Sequence, residues 1–410
     1  MGHLALGDTA ASCGRSSVVH KITIWRVAHA TTLLYFACLA LGLLAALKLG
    51  DEFRRLLLDP SHQGAIDIRN LQPLVSGWFS GKAVYEELAS AVHPPATYVL
   101  LWPLLGWLDL TQARWLWAIT SVLVMSSLVY VIVRESGATT RVEHVFVALL
   151  ALSMNATGVT VGNGQLILHI LPALLVGLLW LHRSQAGSRV PLAAAGLLLF
   201  TLAKPTISAP FLWIALLAGG GLLITLSVVS SYVGVTLFAL LFQGSAPKVL
   251  AQGWADRATT VAATGGYANV HRWLALLDMQ DWMFVASLLA FAALGIWVYR
   301  YRKGDIWILL GVTAIFARLW TYHRVYDDVL ILLPMVALFR TAKREFSSEA
   351  TRVAAGLLLA ATVLAMVAPA RLEHAGWPWS LLFTGGHPLV WFAVLGFLVY
   401  LAWRDRKAEV

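Results

Sequence analysis

The chain alternates between apolar stretches and short polar breaks. Apolar segments run at about 24–48, 94–110, 115–133, 144–158, 165–181, 190–204, 206–220, 222–242, 283–299, 306–320, 326–339, 352–369 and 388–403. A helix that crosses a bilayer needs about 20 apolar residues, and several of these fall short. Two longer polar segments interrupt the series, at about 49–93 and 243–282. Each mixes amphipathic stretches with Gly and Pro, and reads as surface-lying helices and loops. The pattern predicts an all-α polytopic membrane protein, one domain over residues 1–410, with no internal repeat.

Charge orients that pattern. The chain is 59% hydrophobic and 12% charged, about half the charged share of a soluble domain. The net charge of +9 does not point to nucleic acid, because the basic residues cluster in short loops. These are Arg134 to Arg141, His182-Arg183 to Arg189, Arg300 to Lys303, Arg340 to Arg344 and Arg404 to Lys407. The positive-inside rule puts them in the cytoplasm, together with Arg15, Lys21 and Arg26 near the N-terminus. Thirteen crossings would separate the termini, whereas the charges place both inside. About twelve crossings are therefore expected, with 94–110, interrupted by Pro103, the best re-entrant segment. The two long polar segments then lie outside. The run after Arg26 is too long for a signal sequence and reads as an anchor. Cys13 and Cys38 are too few for a disulfide framework. The 18 Trp residues fit interfacial belts, and can also grip a sugar or an isoprenoid.

Four polar constellations fall on or near the external side. The first is Asp67 with Arg69 and His93. The second is Gly162-Asn163-Gly164-Gln165, opening a span. The third is Lys204-Pro205, closing one. The fourth runs from Arg318 through Tyr322, His323 and Arg324 to Asp327 and Asp328. Each has a plain structural reading: a solvated loop acid, a tight turn, a snorkelling lysine, and i,i+4 pairing of Arg324 with Asp328 or of Asp327 with His323. Scattered loop charges would not favour one face, and ionisable groups this dense beside spans mark function. Asp327-Asp328 is the one acid pair, and ion pairing suits it better than metal. No metal and no cofactor are expected.

The order of these motifs resembles the polyprenol-phosphate-mannose-dependent mannosyltransferases of the bacterial GT-C superfamily, which include the phosphatidylinositol-mannoside mannosyltransferase. The matching pieces are Asp67-Ile68-Arg69-Asn70, Gly81 to Tyr85, His93-Pro94-Pro95 where the family has Tyr-Pro-Pro, Gly164-Gln165, Gly196 to Lys204-Pro205, and Tyr322-His323 running to Leu333-Pro334. They span residues 24 to about 340. Each is weak alone; their order and spacing carry the likeness. Tyr322-His323-Arg324 differs from the paired histidines of mannoside-forming members.

The resemblance implies a GT-C fold and an enzyme of the bacterial plasma membrane, with its active site on the external face. It would move a hexose, mannose foremost, from a polyprenyl-phosphate donor to a lipid or glycan hydroxyl with inversion. Asp67 is then the general base. Lys204, His323, Arg324 and more weakly Arg69 neutralise the departing phosphate. Asn163, Gln165, His93, Tyr322 and Asp327 meet sugar or acceptor. Two rival classes remain. A transporter or flippase would also need buried charges and a broken helix, and a ligase using polyprenyl-diphosphate donors would rest on Arg and His without a loop base.

Overall fold

The computed structural model describes residues 9–88, 90–184, 190–217, 221–264, 266–345 and 347–408. Every regular element among them is helical, and the protein is a multi-pass membrane protein. Six helices are long and apolar enough to cross a bilayer: Thr31–Leu58, Leu110–Glu135, Gly221–Leu240, Gln280–Tyr301, Glu349–Val367 and Trp379–Lys407. Two further apolar runs are bent pairs, Arg141–Ser153 with Asn155–Asn163 at 50° and Leu192–Thr201 with Pro205–Leu217 at 119°, which brings the count to as many as eight.

Three apolar helices are shorter: Pro95–Leu105, Ile167–Arg183 and Ile306–Leu319. The last two are apolar around nearly the whole circumference and buried along most of their length. That is the signature of an inner helix packed by others. With Leu332–Lys343 they form the centre of the molecule, while the long helices turn wide apolar faces such as Leu33, Leu123 and Leu223 outward.

Proline sets the sharper break. Pro205 cannot continue a helix, and Lys204 before it is held out of helical geometry, at φ −131°, as the residue before a proline usually is. The carbonyls freed there find new donors. Ser208 Oγ donates to Thr201 O at 2.8 Å, Thr97 Oγ1 to Ala203 O at 2.8 Å and Trp320 Nε1 to Thr206 O at 2.8 Å. A broken helix persists inside a membrane protein where its backbone is satisfied in this way.

The basic loops meet at one end. Arg183 pairs with Glu135, Arg340 and Arg344 with Asp305, Lys343 with Glu143 at 2.6 Å, and Arg344 and Arg404 with Asp405. Arg189 lies outside the described residues. The opposite end carries the two long polar segments, which are helical as expected. The first helix runs on to Leu58, well past the apolar stretch. It is followed by Ile66–Phe79, whose Ile68, Leu71, Leu74, Val75 and Trp78 are buried. The second segment holds Pro247–Thr264 and Val270–Leu276. It packs over the first through Trp254 Nε1 to Val92 O at 3.0 Å and Arg257 Nε to Tyr85 O at 3.1 Å. The 95–105 helix lies along the 66–79 helix. Tyr98 stacks on Trp78 with ring centroids 4.7 Å apart, and Gln72 Nε2 donates to Leu108 O at 2.9 Å.

Candidate functional site

Asp67 is not a loop acid. It stands in the first turn of the 66–79 helix, where the helix dipole favours a negative charge. The turn leading to it is fixed by backbone alone. Ala65 is held at φ 53°, and its amide donates to Gly162 O at 3.1 Å. Gly164, at φ 72°, ends the 155–163 helix with no room for a Cβ, since Ile68 fills that space. This close approach sets Gln165 beside Asp67. The Gly-Asn-Gly-Gln stretch is thus a tight turn, and the turn is what builds the site.

The Asp67 carboxylate is half-buried, and its Oδ2 is enclosed with no hydrogen-bond partner. Burial pushes its carboxyl up to about 6. A hydrogen bond from Gln165 and the positive charges of Lys204 and Arg324 oppose that rise, and the charge of Asp327 adds to it. At neutral pH the group is mostly ionised and poorly solvated, the state a proton acceptor needs.

A second layer stands behind it. Lys204 Nζ donates to Asp327 Oδ1 at 2.6 Å and sits 4.9 Å from the Tyr326 ring centre. Asp327 Oδ2 accepts from His323 Nδ1 at 3.0 Å and from the Arg324 amide at 3.2 Å. The His323 ring is fully buried. Its other nitrogen meets Thr321 Oγ1 at 3.3 Å, and burial holds its affinity for a proton below the ordinary value against the pull of Asp327. A carboxylate only accepts, so Nδ1 carries a proton. His323 thus orients Asp327, which holds Lys204. Arg324 is exposed, with its guanidinium on the Tyr322 hydroxyl.

His93 comes close enough to Lys204 to feel its charge. Burial and that charge push the imidazole down to about 4, so it is neutral at pH 7. Its carbonyl accepts from Tyr85 Oη at 2.7 Å. Two expected residues point elsewhere. Arg69 is spent on carbonyls of its own turn, Gly64 O at 2.7 Å and Pro60 O at 3.2 Å, and staples the loop before Asp67. Asn163 Oδ1 accepts from Arg55 at 2.8 Å, in a cluster with Glu52 and Lys48 at the end of the first helix.

Arg324 and Asp328 do not pair. Arg324 is extended and precedes the Val325–Ile331 3-10 helix, so its side chain does not stack over Asp328, whereas the other expected i,i+4 pair, His323 with Asp327, does form. Asp328 instead takes Arg318 Nε at 2.5 Å and Tyr267 Oη at 2.6 Å. The Arg318 guanidinium lies 5.0 Å from the centres of both the Tyr267 and Trp391 rings. The adjacent acids thus face two partner sets, one joined to Lys204 and one to the second external segment. Thr160 closes the rear by donating to Tyr326 O at 3.2 Å.

Sequence reasoning left Thr160 and Tyr267 out of the site. For Thr160 no local signal exists. Tyr267, next to Gly266 in a long polar segment, offers a weak one. Among the described residues no three of His, Cys, Asp or Glu gather as ligands for a metal ion. No family model, curated protein or solved structure matches the chain.

Proposed function

We propose that the protein is an integral membrane glycosyltransferase that moves a hexose, mannose foremost, from a polyprenyl-phosphate donor to a lipid or glycan hydroxyl. The observation that carries this reading is the Asp67 carboxylate, half-buried, with an unpartnered enclosed oxygen, in the field of Lys204 and Arg324. A base beside two cations is what displacement of a phosphate by a hydroxyl requires. Asp67 takes the acceptor proton as its oxygen bonds to the anomeric carbon. The bond from that carbon to the phosphate oxygen breaks on the opposite face, so configuration inverts. The electron pair leaves on the polyprenyl phosphate. Lys204 has three donors, of which Asp327 takes one, and Arg324 is exposed; both can meet the departing charge. In this reading Gln165, His93 and Tyr322 touch sugar or acceptor.

In this reading the chain crosses the membrane of a bacterial cell twelve times in a GT-C arrangement, with Asp67 outside. The inventory of apolar helices supports the count. The six long helices, the two bent pairs and the Ile167–Arg183, Ile306–Leu319 and Leu332–Lys343 helices make eleven runs, and the halves of the 119° pair taken separately make twelve, with the 95–105 helix left along the 66–79 helix.

One observation favours a transporter: the 119° break at Lys204 resembles the discontinuous helices that bind substrate in carriers. The purified protein, supplied with radiolabelled polyprenyl-phosphate mannose and glucose and a bacterial lipid extract, decides between them. Label should move to an extractable acceptor, and Asp67→Asn should lose at least about a hundredfold in rate, within the range for a general base. Donor binding unchanged by Asp67→Asn and no label transfer by the wild type would leave the carrier reading standing.

A further inference from the structure

A second feature lies between the Leu110–Glu135, Ile167–Arg183 and Val190–Thr201 helices, with its inner end at His169 and Phe200, four residues along the chain from Gln165 and Lys204. There an apolar cleft of about 700 Å³ runs from Thr120 and His169 to Arg134 and Arg183. From 120 to 134, and from 169 to 183, a helix rises ~21 Å. That is more than one leaflet of hydrocarbon, which is half of about 30 Å. Leu123, Val176, Leu197 and Phe200 line the walls.

The polar end has a definite charge balance. Glu135 is taken by Arg183 through its carboxylate and by Arg340 through its carbonyl. Arg134 is exposed, has no acidic partner among the described residues, and touches only the Tyr130 hydroxyl at 3.4 Å. Tyr130 and Trp180 beside it are 63% and 43% exposed. Amphipathic aromatic rings of this kind sit at headgroup depth. An apolar slot longer than a leaflet therefore ends at one uncompensated cation framed by interfacial aromatics.

We propose that this cleft binds one anionic phospholipid of the leaflet at the basic end, with its phosphate on Arg134 and an acyl chain along the slot toward His169. An isoprenoid whose phosphate lay by Lys204 would bring only hydrocarbon to Arg134 and leave that charge unanswered. The proposal does not depend on the reading of Asp67.

Native mass spectrometry of the full protein in a nonionic detergent tests it, with phosphatidylglycerol and phosphatidylcholine supplied in equal amounts. One phosphatidylglycerol should stay bound in preference to phosphatidylcholine. Arg134→Gln should cut its retention about fivefold, the share of one basic residue at an anionic surface, and Arg134→Lys should keep it. Ala173→Trp, which fills the slot, should cut retention as well. Lys407→Gln, on the last helix, should not. Size exclusion checks that each variant is folded, and if Ala173→Trp is not, the two Arg134 variants still decide. Equal retention of the two lipids, or equal losses in Arg134→Gln and Lys407→Gln, overturns the headgroup site. Loss in Ala173→Trp alone overturns it in favour of an uncharged chain, and a folded Ala173→Trp with normal retention overturns the cleft as the seat.

Discussion

Burial gives Asp67 two opposite consequences. An unfolded aspartate titrates near 3.8, and the folded carboxyl near 6. Between those values the folded state binds the extra proton, so stability falls as pH rises from about 4 to about 6 and is flat above. Asp67→Asn removes the desolvated charge. It should melt higher than wild type above pH 6, by up to about 3 kcal/mol, with the difference closing below pH 4. Thermal melts of both proteins across that range check this. Activity runs the other way. The base must be ionised, so kcat/KM should climb through about pH 6 to a plateau. A flat profile from pH 5 to 8 would remove Asp67 from the chemistry. Lys204 needs a different design, because Lys204→Ala strands the buried Asp327 and should cost roughly 3–5 kcal/mol in stability. Lys204→Met combined with Asp327→Leu should recover the fold while turnover stays about 10- to 1,000-fold down. Recovered turnover in the double variant would make the pair purely structural. Asp67, Gln165 and Lys204 were all legible as residues, since each is a polar group beside an apolar run. The pairing of His323 with Asp327 was legible from their spacing, but the full burial of the His323 ring was not, because burial depends on how distant helices pack.

At the scale of elements, the site hangs on two backbone features. One is the break at Lys204-Pro205, readable because proline acts on its immediate neighbours. The other is the seat of the second external segment on the Val325–Ile331 helix. Gly266, at φ 74°, packs against the His323 carbonyl so closely that a Cβ would overlap it. Gly266→Ala should therefore cost at least about 1 kcal/mol and lower turnover severalfold by shifting His323 and Asp327. Gly356→Ala lies in mid-helix with open space around it. It should be neutral or stabilising by about 0.5–1 kcal/mol. Melting temperature and turnover of the two variants, measured side by side, check the contrast, and a Gly266→Ala protein with normal turnover would detach this segment from the site. The Tyr267–Asp328–Arg318 contact was hidden for a related reason. The spacing of Arg324 and Asp328 suggests an α-helical pair, and only a 3-10 turn after an extended residue sends Asp328 the other way.

Over the whole molecule, the basic loops knit one end and the acid-bearing segments cover the other. Cysteines placed at Ser80 and Gln252, in a background with Cys13→Ser and Cys38→Ala, should react with a membrane-impermeant reagent on intact cells. A cysteine at Lys303 should react only after permeabilisation. Protection of both Ser80 and Gln252 positions would put Asp67 on the wrong face for an external donor. By itself the sequence determined that the chain is helical, built of many apolar segments, with its basic loops together and its polar constellations opposite. Hydropathy, proline and loop charge act locally or additively, so they can be read residue by residue. Tertiary structure decided which charges meet. Lys204 finds Asp327 across 123 positions of chain, Tyr267 finds Asp328 across 61, and Arg69 and Asn163 turn away to brace neighbouring turns. Partners of that kind are chosen by how whole helices pack and by which buried charge lacks another way to be satisfied, and neither is a property of any short stretch of sequence.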